Sequence, residues 1–296
     1  MSYVSVCFKK TCLKNKGKYA SLSLFLALTG LPLVLGAGYS LLHSTGLAGL
    51  GTEGFTLRHW DSVLTGGEFW RSLGFSFWVA VCSIGLAVGL AMAAVLPGQG
   101  KWQRGVLSWL VYLPLTLPAM VAAFLIFQTL SGAGLASRLA FRLGLTDGIG
   151  GFPNWVNDPW GVGIIAAHVL MATPFFIILF SNLYQSERLG EYAQLAATLG
   201  ATARQSARRV IVPVLLRQSF PTLVLYFIFV MGSYEIPLLL GSQSPGMVSV
   251  LTIRKLQRFD LADMPQAYVI GVLYTVFVVG AVVVLLRSKQ DKTTTA

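Results

Sequence analysis

The sequence predicts an all-α membrane protein with six transmembrane helices, and three observations carry that prediction. Of its 296 residues, 55% are hydrophobic and 11% charged, against about 45–50% and about 25% in ordinary soluble domains. The apolar residues gather into six runs, near 20–42, 72–96, 106–130, 160–183, 219–240 and 267–287. Each run reaches the roughly 20 helical residues needed to cross a hydrocarbon core about 30 Å thick. Finally, the tail 1–19, the loop 97–105, the segment 184–218 and the tail from 287 hold 15 of the 22 Lys and Arg residues. Such residues concentrate on the cytoplasmic side, so both termini and 184–218 are expected there.

The basic tail 1–19 carries Lys9, Lys10, Lys14, Lys16 and Lys18 and leads into the first run. Secretory signals share that pattern, but this run exceeds 20 residues and no convincing small-x-small cleavage site follows it. An uncleaved first span with its external loop is therefore expected over 20–70, then a five-span core over 71–287 and a tail over 288–296. Pro32, Pro114, Pro118, Pro174, Pro221 and Pro237 lie in or beside the runs and predict kinks, which membrane helices tolerate when neighbours re-satisfy the backbone. The external connections 43–70, 131–159 and 241–266 are too short to be domains. Trp60, Trp70, Trp155 and Trp160 fit an interfacial aromatic belt.

The net charge of +11 flanks the runs instead of forming a basic domain, so the expected partner is membrane lipid and not nucleic acid. Cys7, Cys12 and Cys82 are odd in number and lack the company of a zinc site or a disulfide framework. No H-E-x-x-H, G-x-S-x-G or G-x-x-x-x-G-K-[ST] pattern occurs. Hence no catalytic residue, metal site or cofactor is expected in this chain, and it has no P-loop with which to hydrolyse ATP. His43, His59 and His168 are far apart; only His168 falls in a span, where it either packs between helices or lines a pathway.

Two segments carry the functional reading. Residues 184–218, between the fourth and fifth runs, form a polar connection of about 35 residues, long for a simple linker. Propensity gives a helix from Glu191 to Leu199, with Gly200 as its stop, and a second short helix from Thr202 to Arg209 ending before Pro213. Ala193 with Ala197, and Ala196 with Gly200, give the first helix a small-residue face for close backbone approach. In the fifth run, Glu235 is the one acidic residue well inside an apolar stretch, bracketed by Gly232 and Pro237, which favour a local break. It either hydrogen-bonds a neighbouring span or, with Tyr234, lines a translocation path near an external gate.

The loop is similar to the signature of type I binding-protein-dependent ABC importer permeases: E-A-A, three residues, Gly, nine residues, Ile/Val, one residue, Leu, Pro. Gln194, Leu195 and Ala196 precede Gly200 at that spacing; Leu199 and Ala201 flank it, and Val210 and Pro213 follow ten and thirteen residues on. Gln194 and Leu195 depart from the signature Glu and Ala, while Glu191 lies one turn earlier. The resemblance covers about 70–287 and implies the type I permease fold, with 184–218 as a coupling-helix loop between spans 4 and 5. It also implies a transport subunit of the bacterial inner membrane, not an enzyme. Two ABC ATPase subunits would bind ATP, a second permease, the same chain or a different one, would complete the path, and an external solute-binding protein would deliver solute. The coupling residues it implies are Glu191, Gln194, Ala196, Ala197, Leu199, Gly200, Ala201, Val210 and Pro213. The phrase Gly232 to Gly241 resembles permeases for spermidine and putrescine, and those for ferric iron, thiamine and sulfate, so a polyamine-like solute is expected, with those as alternatives. A secondary transporter would carry paired repeats and a midplane ion site, and a membrane enzyme a catalytic constellation; neither pattern is found in the sequence.

Overall fold

The computed structural model describes residues 3–49, 54–98, 109, 111–146, 151–258 and 263–293, with side chains described only between 21 and 283. The tail lysines, Cys7 and Cys12 therefore lie outside the described side chains. Among the described residues all regular structure is helical. Six segments are long and apolar enough to cross a membrane: Ser21–Ser44, Gly67–Gly98, Ala119–Arg142, Val162–Ser186, Ala203–Met231 and Met264–Val283.

The helices are α1 (Tyr3–Ser44), α2 (Arg58–Thr65), α3 (Gly67–Gly98), α4 (Ala119–Leu130), α5 (Leu135–Arg142), α6 (Val162–Ser186), α7 (Leu189–Thr198), α8 (Ala203–Ser206), α9 (Val212–Met231), α10 (Glu235–Leu240), α11 (Val248–Leu256) and α12 (Met264–Thr293). Two spans differ from the runs read in the sequence. The third run contains a 3₁₀ turn at Leu113–Thr116, and Leu117 is extended (ψ 128°), as the residue before Pro118 must be. Trp109, Val111 and Tyr112 before that turn are helical and the helix resumes at Ala119, while 106–108 and 110 lie outside the described residues. The fifth span begins earlier and ends sooner than 219–240. The short helix expected to stop before Pro213 instead continues from α8 through a π-helical turn at Ala207–Ile211 into α9. Pro213 has no amide for Arg209 and would crowd its carbonyl; the widened turn accommodates it, and the Val212 amide bonds the Ala207 carbonyl.

The chain divides into two compact units, Gly66–Arg254 with Val278–Ala296, and Met1–Thr65 with Lys255–Phe277. In the first, α3 and α6 form the most extensive helix pair. Ser76, Ala80, Ser83, Ala87 and Ala91 are all fully buried, and their spacing of three and four places them on one face of α3. Small residues let membrane helices approach closely where no hydrophobic drive separates lipid from protein. The start of α6 is built by the chain around it. Asp158 accepts from the Trp160 and Val162 amides at 3.0 and 2.9 Å, and Gly161 adopts φ +71° where a Cβ would stand 3.0 Å from Phe75. The Trp78 indole donates to the Trp160 carbonyl at 3.2 Å.

In the second unit, His43 stacks on Tyr268 with ring centres 4.1 Å apart, and Tyr39 meets both rings edge-on. Lys255 is buried; its Nζ donates to Gln266 at 2.9 Å and lies 3.9 Å from Asp263, which also receives Arg258 at 2.9 Å. A buried ammonium needs such partners.

Candidate functional site

The signature folds into a short rigid hairpin. α7 opens at Arg188, a non-glycine residue in left-handed conformation (φ +49°), which turns the chain sharply off α6. At the other end, Gly200 adopts φ +82°. Its amide bonds the Ala197 carbonyl at 2.9 Å and the Ala201 amide bonds Ala196 at 3.0 Å. These two bonds satisfy carbonyls that a helix end leaves open, the arrangement a left-handed glycine permits. Thr202 then starts α8 with reciprocal bonds: its amide donates to Gln205 Oε1 at 2.9 Å and its hydroxyl accepts from the Gln205 amide at 3.3 Å.

The hairpin is anchored by three side chains that the signature does not contain. Leu189, Ile211 and Leu215 belong to an apolar core with Ala87, Ala91 and Val95 of α3 and Ala172, Phe176, Ile177, Phe180 and Tyr184 of α6. Leu189 and Leu215 are completely buried. The expected small face is divided. Ala193 packs against this core and Ala196 is half-buried, while Ala197 is exposed with Glu191, Gln194, Leu199 and Gly200. The outward surface carries Tyr192, Leu195 and Leu199, the last 83% exposed. Ala201 and Val210 are half-buried and Pro213 is exposed in the first turn of α9. Glu191 lies 3.9 Å from Arg188, both largely solvent-exposed. Arg204, Arg208 and Arg209 are exposed.

Tyr234 and Glu235 lie at the far end of the same unit, about 18 Å of helix beyond this core when measured along α6 from Phe180 to His168. The expected break is present: α9 ends at Met231, and α10 starts at Glu235. Pro237 causes it. In a continuous helix the Ser233 carbonyl would accept from residue 237, but proline has no amide and its ring collides with the carbonyl four residues back. The displaced Ser233 carbonyl accepts from the Ser249 hydroxyl of α11, and the Ser233 hydroxyl shares a hydrogen bond with His168 Nε2 of α6 at 3.0 Å. The next residue of that helix back along the chain, Val248, donates its amide to Ser76 Oγ of α3 at 2.9 Å. His168 is thus a helix-bridging residue, 1% exposed. Glu235 is exposed and Tyr234 half-buried; among the described residues the bond from Glu235 to a neighbouring span is not formed.

A family model described as the binding-protein-dependent transport system inner membrane component matches residues 85–294, well over half of the chain. The chain belongs to that family. It is a type I ABC importer permease by fold and family, and a multi-pass inner membrane protein. It is similar to the thiamine transport system permease protein ThiP of Brucella abortus (strain 2308), 29% identical over 196 residues that cover 64% of this chain and 34% of the relative. The molybdenum transport system permease protein ModB of Azotobacter vinelandii is 27% identical over 185 residues, 62% of this chain and 76% of that one. The sulfate transport system permease protein CysT of Salmonella typhimurium is 27% identical over 184 residues, 62% of each. The permease thus spans about a third of the length of the thiamine relative it matches. A crystal structure of a bacterial ABC transporter that imports the acidic polysaccharide alginate has the same fold (TM-score 0.65, 17% identity, 96% of this chain and 98% of that one).

Proposed function

We propose that this permease is the path-forming subunit of an ATP-driven importer, that α7 is its docking element for an ATPase subunit, and that its solute is an organic cation. The observation that carries the docking role is the anchored hairpin. α7 exposes Tyr192, Leu195 and Leu199 outward, while Leu189 at its start and Ile211 and Leu215 in the segment that follows pack into one core with α3 and α6. A force applied to the outer face therefore displaces the spans and does not merely bend a loop. Glu191, Gln194, Ala196, Ala197, Leu199, Gly200, Ala201, Val210 and Pro213 act in this element. Two such ATPase subunits bind the ATP, a second permease completes the path, and an external binding protein delivers the solute. The distribution of basic residues supports cytoplasmic termini and a cytoplasmic 184–218.

Tyr234 and Glu235 line the path beside the break. The exposed Glu235 carboxylate supports a cationic solute: an opposite charge about 4 Å away gains on the order of 4 kcal/mol at an effective dielectric of 20. Thiamine, which a relative's name supplies, and spermidine, which the Gly232–Gly241 phrase suggests, are both organic cations. The test is uptake into vesicles holding the assembled complex, with radiolabelled thiamine, spermidine, sulfate or molybdate. Uptake of one of the cations that needs ATP, a separate ATPase subunit and a binding protein, and that falls at least tenfold in Glu235→Gln, is expected. Uptake of sulfate or molybdate alone, or full activity in Glu235→Gln, overturns the charge argument; uptake without the ATPase overturns the class. A cysteine at Ser244 labels from outside and one at Thr202 does not; the reverse sinks the topology.

A further inference from the structure

Ser233 is bonded twice to other helices, once through its side chain and once through its carbonyl. We propose that Ser233 is the junction that sets the direction of the Tyr234–Glu235 segment, with His168 and Ser249 as positioning residues that hold it. The role in solute passage rests on the path reading above; the junction itself rests on bonding.

The Pro237 ring displaces the Ser233 carbonyl and leaves it without the amide a helix would supply. In a membrane such an orphan must find another partner, and the Ser249 hydroxyl is that partner. Ser249 is itself placed, because the adjacent Val248 amide is bonded to the buried Ser76 of α3. The Ser233 hydroxyl is held separately by His168, an imidazole enclosed in α6. One residue thereby ties the break to α3 through α11 and to α6 directly. These are the two helices whose other ends hold Leu189, Ile211 and Leu215. Tyr234 and Glu235 follow Ser233 immediately, so the direction in which they leave the break is fixed by these bonds. A relative displacement of α3 and α6 at the α7 end acts on Ser233 from two sides. Hydrogen bonds with discrete partners suit that task, since they are either made or broken, whereas an apolar contact slides.

The test uses the full chain in native membranes, with Cys7, Cys12 and Cys82 replaced by Ser and Glu235 by Cys. The rate of reaction with a positively charged, membrane-impermeant methanethiosulfonate reports the segment's exposure to a watery path. Ser233→Ala, His168→Ala and Ser249→Ala should each slow labelling about fivefold, the population ratio one net hydrogen bond supports. Ser233→Thr and His168→Gln, which keep a bonding atom near the same place, should restore at least half of the rate. A cysteine at the exposed Thr65 should label equally in all variants, which reports normal insertion. Absence of labelling in the parent chain overturns the path reading and the proposal with it. A parent that labels while the alanine variants label at the same rate, or conservative variants no better than alanine, overturns the junction alone.

Discussion

The two ends of the α3–α6 pair are held by different physics. At the α7 end, Leu189, Ile211 and Leu215 pack in an apolar core of Ala, Val, Ile, Phe and Tyr side chains. At the break end, Ser76, His168, Ser233, Ser249 and one backbone amide hold three helices together by hydrogen bonds. Apolar packing is non-directional and summed over many atoms, so it transmits displacement and loses little when one contact shifts. Hydrogen bonds are few and directional, so each is a discrete condition on geometry. On the proposed function, the end that receives the push is packed and the end that directs the Tyr234–Glu235 segment is bonded.

This contrast fixes the order of expected effects. Leu189→Ala opens a cavity in the apolar core and should cost about 2–5 kcal/mol, read as a lower thermal midpoint in detergent, whereas Leu189→Met should cost less than about 1.5 kcal/mol. Ser233→Ala should cost only about 0.5–1.5 kcal/mol, the net worth of such a bond. In the assembled complex, Leu189→Ala should also hydrolyse ATP with little transport. A larger loss of stability from Ser233→Ala than from Leu189→Ala would break the comparison.

Gly200 sharpens it from the other side of the hairpin. Nothing lies within 4 Å of a Cβ built there, so the chain itself leaves room for a side chain. The cost of Gly200→Val is conformational: a β-branched residue at φ +82° is strained by about 1–3 kcal/mol. Gly200→Asn should recover most of the loss, since Asn tolerates the left-handed region. Equal transport by the Val and Asn variants would show that the turn has no part in coupling.

Local signals carry the hairpin. Gly200 as a left-handed stop, the α7 helix and the break between Gly232 and Pro237 are all written in single residues. The anchors are harder to see. Leu189, Ile211 and Leu215 look like any apolar residues in a polar loop, and only their burial between α3 and α6 separates them from the exposed Leu195 and Leu199. The fifth span starts earlier than its apolar run because Pro213 reads as a helix stop, and a π-helical turn that takes in a proline has no sequence period of its own. Ser233 is legible in part: a proline four residues on predicts an orphaned carbonyl. Its donor, Ser249, is sixteen residues away across a loop, and no local rule selects it.

The smallest expected effect concerns Arg188, where two terms oppose each other. Its side chain stands 3.9 Å from Glu191, but the two are 76% and 71% exposed, and an exposed i,i+3 pair is worth about 0.2–0.5 kcal/mol. Its backbone, at φ +49°, is in a region that costs an ordinary side chain about 1 kcal/mol and glycine almost nothing. Glycine also loses more freedom on folding, which offsets part of the relief. Arg188→Gly should therefore leave the thermal midpoint within about 1 kcal/mol of the parent, on the stabilising side, while Arg188→Val, which keeps the strain and loses the pair, should be clearly destabilised. Because the change leaves Leu189 in its core, ATP-driven transport by Arg188→Gly should stay within about twofold of the parent. If Arg188→Gly instead abolished transport at unchanged stability, the guanidinium itself would be a contact for the ATPase subunit, and the docking surface would extend from Tyr192, Leu195 and Leu199 to the turn that precedes them.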